Sequence, residues 1–290
     1  MPGLKHVCTA GLVAVLLMFL AGCSALGTFN SVVPKDGGGA KIARDVGYGP
    51  DARQKLDVYA PQVKGGRRKI LVFLYGGSWS SGRRQDYAFV GRAFAARGFV
   101  TVIPDYRLVP EVRYPLFVQD NAKAVAWAYR HARDYGADPE QLYVVGHSAG
   151  AYNAMMVALA PEFLRAEGLE PSVIRAVAGL SGPYDFLPLD QTETREAFKG
   201  VRDLAATQPV NRVRPGRKTP AILLLHGEAD DFVEPRNSQA LASALRNAGD
   251  EVDLRLYPRV DHRETLLALS TPLRWKAPVL DDVSRFFAEH

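Results

Sequence analysis

At the centre of Leu142–Met156 (LYVVGHSAGAYNAMM) a serine stands two residues from a glycine on each side. The hydroxyl of Ser148 can attack a carbonyl carbon if a neighbouring base takes its proton. The G-x-S-x-G spacing of Gly146 and Gly150 suits a sharp strand-to-helix turn that lifts such a hydroxyl clear of a sheet edge. The pattern alone is weak, but its flanks fit. LYVV is an apolar strand run, and AYNAMMVALA after the serine reads as a helix of small side chains whose N-terminus favours negative charge.

A base is needed next, and beyond the N-terminal segment the chain offers His131, His147, His226, His262 and His290. His131 lies in a helical pattern and His290 is the last residue. His147 flanks the serine inside the turn, where its side chain is expected to point aside. His226 ends a strand run before Gly227 and reads as a turn or packing residue. His262 remains, in the loop PRVDHRE that follows the last strand run. The acid that would orient it belongs to LHGEADDFVE, where Glu228, Asp230, Asp231 and Glu234 all qualify. Developing negative charge on a substrate oxygen calls for backbone donors. The N–H of Ala149 is one candidate. Gly77 and Ser78, in the glycine-rich turn of ILVFLYGGSW, are the others, and Trp79 beside them is a candidate wall of the substrate pocket.

These groups need a scaffold that gathers the ends of several strands. From about residue 55 the chain alternates strand runs with helical patterns. The strands are expected at 56–59, 70–74, 100–103, 142–145, 176–180, 221–225 and 252–257. Helices are expected over 87–97, 117–135, 149–159, 235–247 and 279–288. Most of the strand runs are short, continuous and apolar, as expected for strands buried on both faces. The expected fold class is therefore α/β, a mostly parallel central sheet with helices on both faces. Ligands in such sheets sit beyond the carboxyl ends of the strands, where Ser148 and its partners fall.

YGGSW at 75–79, DYRLVPE at 105–111, GHSAG at 146–150, HGEADDFV at 226–233 and DH at 261–262 occur in that order. Together they resemble the α/β-hydrolase carboxylesterases, especially the small branch with an HGG-x-W motif, similar to kynurenine formamidases and the hormone-sensitive-lipase group. The resemblance implies the α/β-hydrolase fold over roughly residues 45 to 288. It also implies a triad in chain order, with Ser148 as nucleophile, Asp230 as acid and His262 as base. Tyr75 departs from the pattern, standing where the family usually has histidine. The implied activity is hydrolysis of small, short-acyl esters through an acyl-enzyme. An apolar lid for fat droplets is not expected, because the longest insertion, around 185–219, is mostly polar. The same triad would serve an arylformamidase or small amidase, and the fold could also belong to a catalytically silent binding lipoprotein.

The rest of the composition narrows the field. A chain of 290 residues with 47% hydrophobic and 23% charged residues suits one α/β domain. The net charge of +5 comes with basic clusters at Arg67–Lys69, Arg83-Arg84 and Arg212–Lys218, each beside glycine or proline and read as solvated loops. No nucleic-acid-binding motif is present. No H-E-x-x-H or clustered ligand spacing points to a metal, and no cofactor is expected. The N-terminus carries Lys5, an apolar run over 11–20, and Leu20-Ala21-Gly22-Cys23. This is similar to the signal peptide and lipobox of bacterial lipoproteins. That likeness implies removal of residues 1–22, lipidation of Cys23, a tether over 23–44 that includes DGGGAK, and a hydrolase domain over 45–290. It further implies export to the periplasmic side, with Ser24 after the cysteine favouring the outer membrane.

Overall fold

The computed structural model describes residues 24–63 and 65–290. The signal-peptide reading of residues 1–22 and the lipidation site Cys23 lie outside the described residues. In chain order the elements are α1 (Ala25–Val32), β1 (Gly39–Gly47), β2 (Lys55–Pro61), β3 (Arg68–Leu74), α2 (Ala88–Ala96), β4 (Val100–Pro104), α3 (Leu116–His131) and β5 (Ala137–His147). There follow α4 (Ala149–Leu159), α5 (Pro161–Arg165), β6 (Ile174–Leu180), α6 (Thr192–Ala197), β7 (Ala221–Gly227), α7 (Arg236–Ala248), β8 (Val252–Tyr257), α8 (Glu264–Leu267) and α9 (Val279–Glu289).

The strands form one sheet in the order β1-β2-β4-β3-β5-β6-β7-β8. The β1–β2 and β2–β4 pairs are antiparallel, and every pair from β4–β3 through to β7–β8 is parallel. Helices α2 and α9 cover one face, and α3, α4 and α7 the other. With helices on both faces, β3 (RKILVFL) and β7 (AILLLHG) have no solvent side, which is why they are continuous apolar runs rather than alternating ones. This is the α/β-hydrolase fold expected from the sequence.

Residues 24–44, the described part of the 23–44 segment read as tether, pack on the rest of the chain. Ser24 caps α1, its Oγ accepting from Gly27 N at 2.9 Å and donating to Asp86 Oδ2 at 2.7 Å. Phe29 meets Phe89 of α2 edge to face, with centroids 5.5 Å apart. The stretch DGGGAK runs directly into β1, whose Lys41 pairs with the buried Asp57 of β2. These contacts, rather than intrinsic propensity, order an eight-residue helix that would be marginal alone.

Candidate active site

Chain direction delivers each group to one edge of the sheet. β5 ends at His147 and α4 begins at Ala149, so Ser148 occupies the whole turn, at φ 55° and ψ −125°. A non-glycine residue there is strained, and the surroundings must hold it. Its N–H donates to Leu180 O at the end of β6, at 2.9 Å. The flanking glycines are required by close approach: a Cβ on Gly146 would lie 2.3 Å from Gly150 O, and one on Gly150 2.0 Å from Leu74 O. No residue of α4 is exposed, which accounts for its small and apolar composition.

The loop after β8 brings His262 back over that edge. Glu228 N and Ala229 N donate to Tyr257 O and Val260 O, at 2.9 and 3.0 Å, so the loops after β7 and β8 are tied together. His262 Nε2 lies 2.9 Å from Ser148 Oγ, and His262 Nδ1 lies 2.8 Å from Asp230 Oδ2. The structure therefore brings Ser148, His262 and Asp230 into one hydrogen-bonded chain. Asp231, the neighbouring acid, is exposed and outside it. Burial opposes ionisation of Asp230, but hydrogen bonds from His226, His262 and Val233 N outweigh it and hold the carboxyl well below the usual range.

Two histidines set aside by sequence reasoning take part. His226 is fully buried, with Nε2 2.7 Å from Val233 O and 3.2 Å from Asp230 Oδ2. Its Nδ1 lies 2.7 Å from Ser238 Oγ. Two acceptors face Nε2, so it carries a proton and donates, while Nδ1 shares a hydrogen bond with Ser238 Oγ. His147 does not point away from the site: its Nε2 donates to His262 O at 3.0 Å, beside a second donor, Thr265 Oγ1, also at 3.0 Å. Burial, and then the nearby His262, push the His147 pKa down to about 3, so it is a neutral donor. Both roles depend on contacts distant in sequence, and no local signal marks them.

The loop after β3 supplies backbone donors. Gly77 (φ 112°), Ser78 (φ 51°) and Trp79 (φ 57°) are three successive left-handed residues. Ser80 N and Ser81 N both donate to Gly77 O at 3.0 Å, and Val109 N donates to Trp79 O at 2.8 Å. The N–H groups of Gly77, Ser78 and Ala149 have no acceptor among the described residues. Below this loop, Tyr75 is stacked between Tyr87 and Tyr106, with centroids at 5.1 and 4.9 Å. Its Oη donates to Asp105 Oδ1 at 2.8 Å and accepts from Arg53 Nη2 at 3.1 Å. Burial, and then the Asp105 charge, push the phenol pKa well above its ordinary value, so it remains a donor. Trp79 is 2% exposed, packs on Phe117, Tyr152 and Phe198, and donates Nε1 to Asn153 Oδ1 at 3.1 Å.

Two cavities meet at Ser148. One, of about 210 Å³, lies under the 185–219 insertion and is lined by Trp79, Ala149, Gln191 and Arg236 among others. The other, of about 410 Å³, runs between α1 and α8 past His262. Such an arrangement can deliver a serine oxygen, relieved of its proton, to a carbonyl carbon whose oxygen faces free N–H groups. Among the described residues, no group of three or more His, Cys, Asp or Glu side chains could hold a metal ion, and no helix is long and apolar enough to cross a membrane.

Comparison with known proteins places this architecture. A probable isoprenylcysteine alpha-carbonyl methylesterase of Oryza sativa subsp. japonica is 31% identical over 255 residues, which cover 81% of this chain and 60% of that protein. The esterase LipQ of Mycobacterium tuberculosis is 31% identical over 229 residues, covering 71% of this chain and 53% of its own. The chain thus spans little more than half the length of these relatives. The crystal structure of esterase B from Lactobacillus rhamnosis with a bound tributyrin phosphonate superposes with a TM-score of 0.79, at 19% identity, over 99% of this chain and 96% of that one. The BD-FAE family profile matches residues 56–245, from β2 through most of α7, and with well over half of its length inside that match the chain belongs to the BD-FAE family.

Proposed function

We propose that the protein is a serine carboxylesterase that hydrolyses small, short-acyl esters by way of an acyl-enzyme. The observation that carries this reading is the unbroken chain from Ser148 Oγ through His262 to Asp230 beside three unanswered N–H groups. Relatives named as esterases support the class of reaction.

In this mechanism Ser148 Oγ bonds to the ester carbonyl carbon as His262 Nε2 takes its proton. Asp230 keeps the proton of Nδ1 facing itself and stabilises the imidazolium. The carbonyl oxygen gathers charge between the N–H groups of Gly77, Ser78 and Ala149, each contributing about 3–4 kcal/mol at the transition state. His262 then passes its proton to the departing alcohol oxygen, and water, deprotonated by the same imidazole, releases the acid. The N-terminal segment supports a second part of the proposal, export followed by lipid attachment at Cys23, so that the hydrolase works at a membrane surface.

The test is hydrolysis of p-nitrophenyl acetate and butyrate by the protein beside its Ser148→Ala variant. Turnover in the protein and none in a folded variant is the expected result. Equal turnover in both would overturn the site assignment. Hydrolysis of N-formyl aromatic amines but of no ester would replace the reading with the amidase one.

A further inference from the structure

Ser148, Ser78 and Phe232 border both cavities, but the two differ in chemistry. The smaller one sets Gln191, Asp231 and Arg236 against Trp79, Phe186 and Leu187 and takes in Ala149, whereas Gly77 lines the larger. The larger one is lined by Ala25, Leu26 and Phe29 of α1, facing Leu266 and Leu267 of α8, with Arg263 at its edge. His262 lines the larger cavity and not the smaller. That asymmetry assigns the two arms of an ester, because the imidazole that has taken the serine proton must return it to the leaving oxygen. The leaving alcohol therefore lies on the His262 side, and the acyl group on the other.

We infer that the substrate is an ester of a compact polar acid with a bulky apolar alcohol, the alcohol lying in the groove between α1 and α8. The inference rests on the ester-hydrolase reading above, keeps its short acyl group and replaces a small alcohol with a bulky one. The size of the groove admits an aliphatic or aromatic alcohol of eight or more carbons, whereas the smaller cavity, lined by Trp79 and Phe186 and about half as large, favours a shorter acid. α1 is thus a specificity-determining element, although it contributes no group to the reaction.

The experiment measures kcat/KM of the full chain on two series in dilute solution: ethyl, butyl and octyl acetates, then ethyl acetate, butyrate and octanoate. A methylene moved fully out of water favours binding roughly fourfold. The expected result is at least a thirtyfold rise from ethyl to octyl acetate and at least a tenfold fall from ethyl acetate to ethyl octanoate. In Leu267→Trp, which fills the groove from α8, and in Leu26→Trp, which fills it from α1, the octyl-to-ethyl ratio should drop to within about threefold of one. Ser148-dependent hydrolysis with a flat or falling alcohol series, or with a preference for octanoate, would overturn the inference while leaving the esterase reading intact. A ratio unchanged in both variants would also overturn it. No hydrolysis of any ester by a folded protein would overturn both.

Discussion

His226 and His262 meet on a single atom: Asp230 Oδ2 lies 3.2 Å from the Nε2 of the first and 2.8 Å from the Nδ1 of the second. In the proposed mechanism, the acid that orients the base is thus itself oriented from behind. Its other oxygen, Oδ1, accepts from Phe232 N at 3.1 Å and Val233 N at 2.8 Å, so the carboxylate plane is fixed at both ends. His226 is a positioning residue in this arrangement. Replacing it by glutamine, which can still donate, should lower kcat by about tenfold with little change in KM. His226→Ala should lower kcat by about a hundredfold, because a misplaced base costs rate rather than affinity. Steady-state kinetics on p-nitrophenyl acetate would separate the two parameters. An equal change in KM for both variants would mark His226 as merely structural.

Asp230→Asn tests the tautomer. An amide in that place can donate to Nδ1, which turns the imidazole so that Nε2 carries a proton and can no longer accept one from Ser148. The expected loss in kcat is about 10⁴-fold, with residual rate from the oxyanion donors. Stopped-assay rates on the folded variant would check it, and a loss under tenfold would mean that Asp230 is not the orienting acid.

His147 makes the fold sensitive to acid. Its pKa is about 3 in the folded protein and 6.5 in a free imidazole. Between these values the unfolded chain binds a proton that the folded chain refuses, so stability falls as pH drops from 6.5 towards 3. The slope is about 1.4 kcal/mol per pH unit, or roughly 2 kcal/mol lost at pH 5. Urea unfolding at pH 7 and pH 5 should show that loss in the protein and a smaller one in His147→Gln. Equal losses would assign the acid sensitivity elsewhere.

Gly150→Ala places a methyl group 2.0 Å from Leu74 O, against backbone that cannot yield without moving β3. A cost of about 3 kcal/mol is expected, together with loss of turnover as the turn at Ser148 shifts. Thermal unfolding and a p-nitrophenyl acetate assay on the same preparation read both. A stable, active variant would show the elbow to be looser than its geometry.

A chain begun at residue 45 would lose α1 and most of β1, leave the buried Asp57 without Lys41, and open one wall of the groove at Ser148. Asp57 keeps Arg84 Nε at 3.1 Å, so the cost comes mainly from the lost β1–β2 pairing and the Phe29–Phe89 contact, about 3 kcal/mol in all. For a domain of this size a melting point lower by about 10 °C is expected. Differential scanning calorimetry beside a chain begun at residue 24 would check it.

Much of this was legible in the residue order. The runs KILVFL and ILLLHG could only be strands covered on both faces, and the turn at Ser148 announced itself through the glycines that its close contacts demand. β1 was not legible. GAKIARDVG is an edge strand whose register slips between Lys41 and Ala43 and again between Ala43 and Val46, so neither a continuous apolar run nor strict alternation survives. α1 is short, contains Gly27 and Ser31, and owes its order to α2 and the loop before it. His226 read as a packing residue and His147 as one pointing aside, because a buried histidine's meaning lies in what the rest of the chain brings to it, here Asp230 and His262 O.

The family match begins at residue 56, after α1, yet α1 forms one wall of the groove that reaches Ser148. That wall comes from a passage of the chain separate from those that carry Ser148, Asp230 and His262. A handful of changes among Ala25, Leu26 and Phe29 could retune which molecules are welcomed while the triad stays untouched. Helix α1, eight residues long, thus touches the groove without touching Ser148, Asp230 or His262.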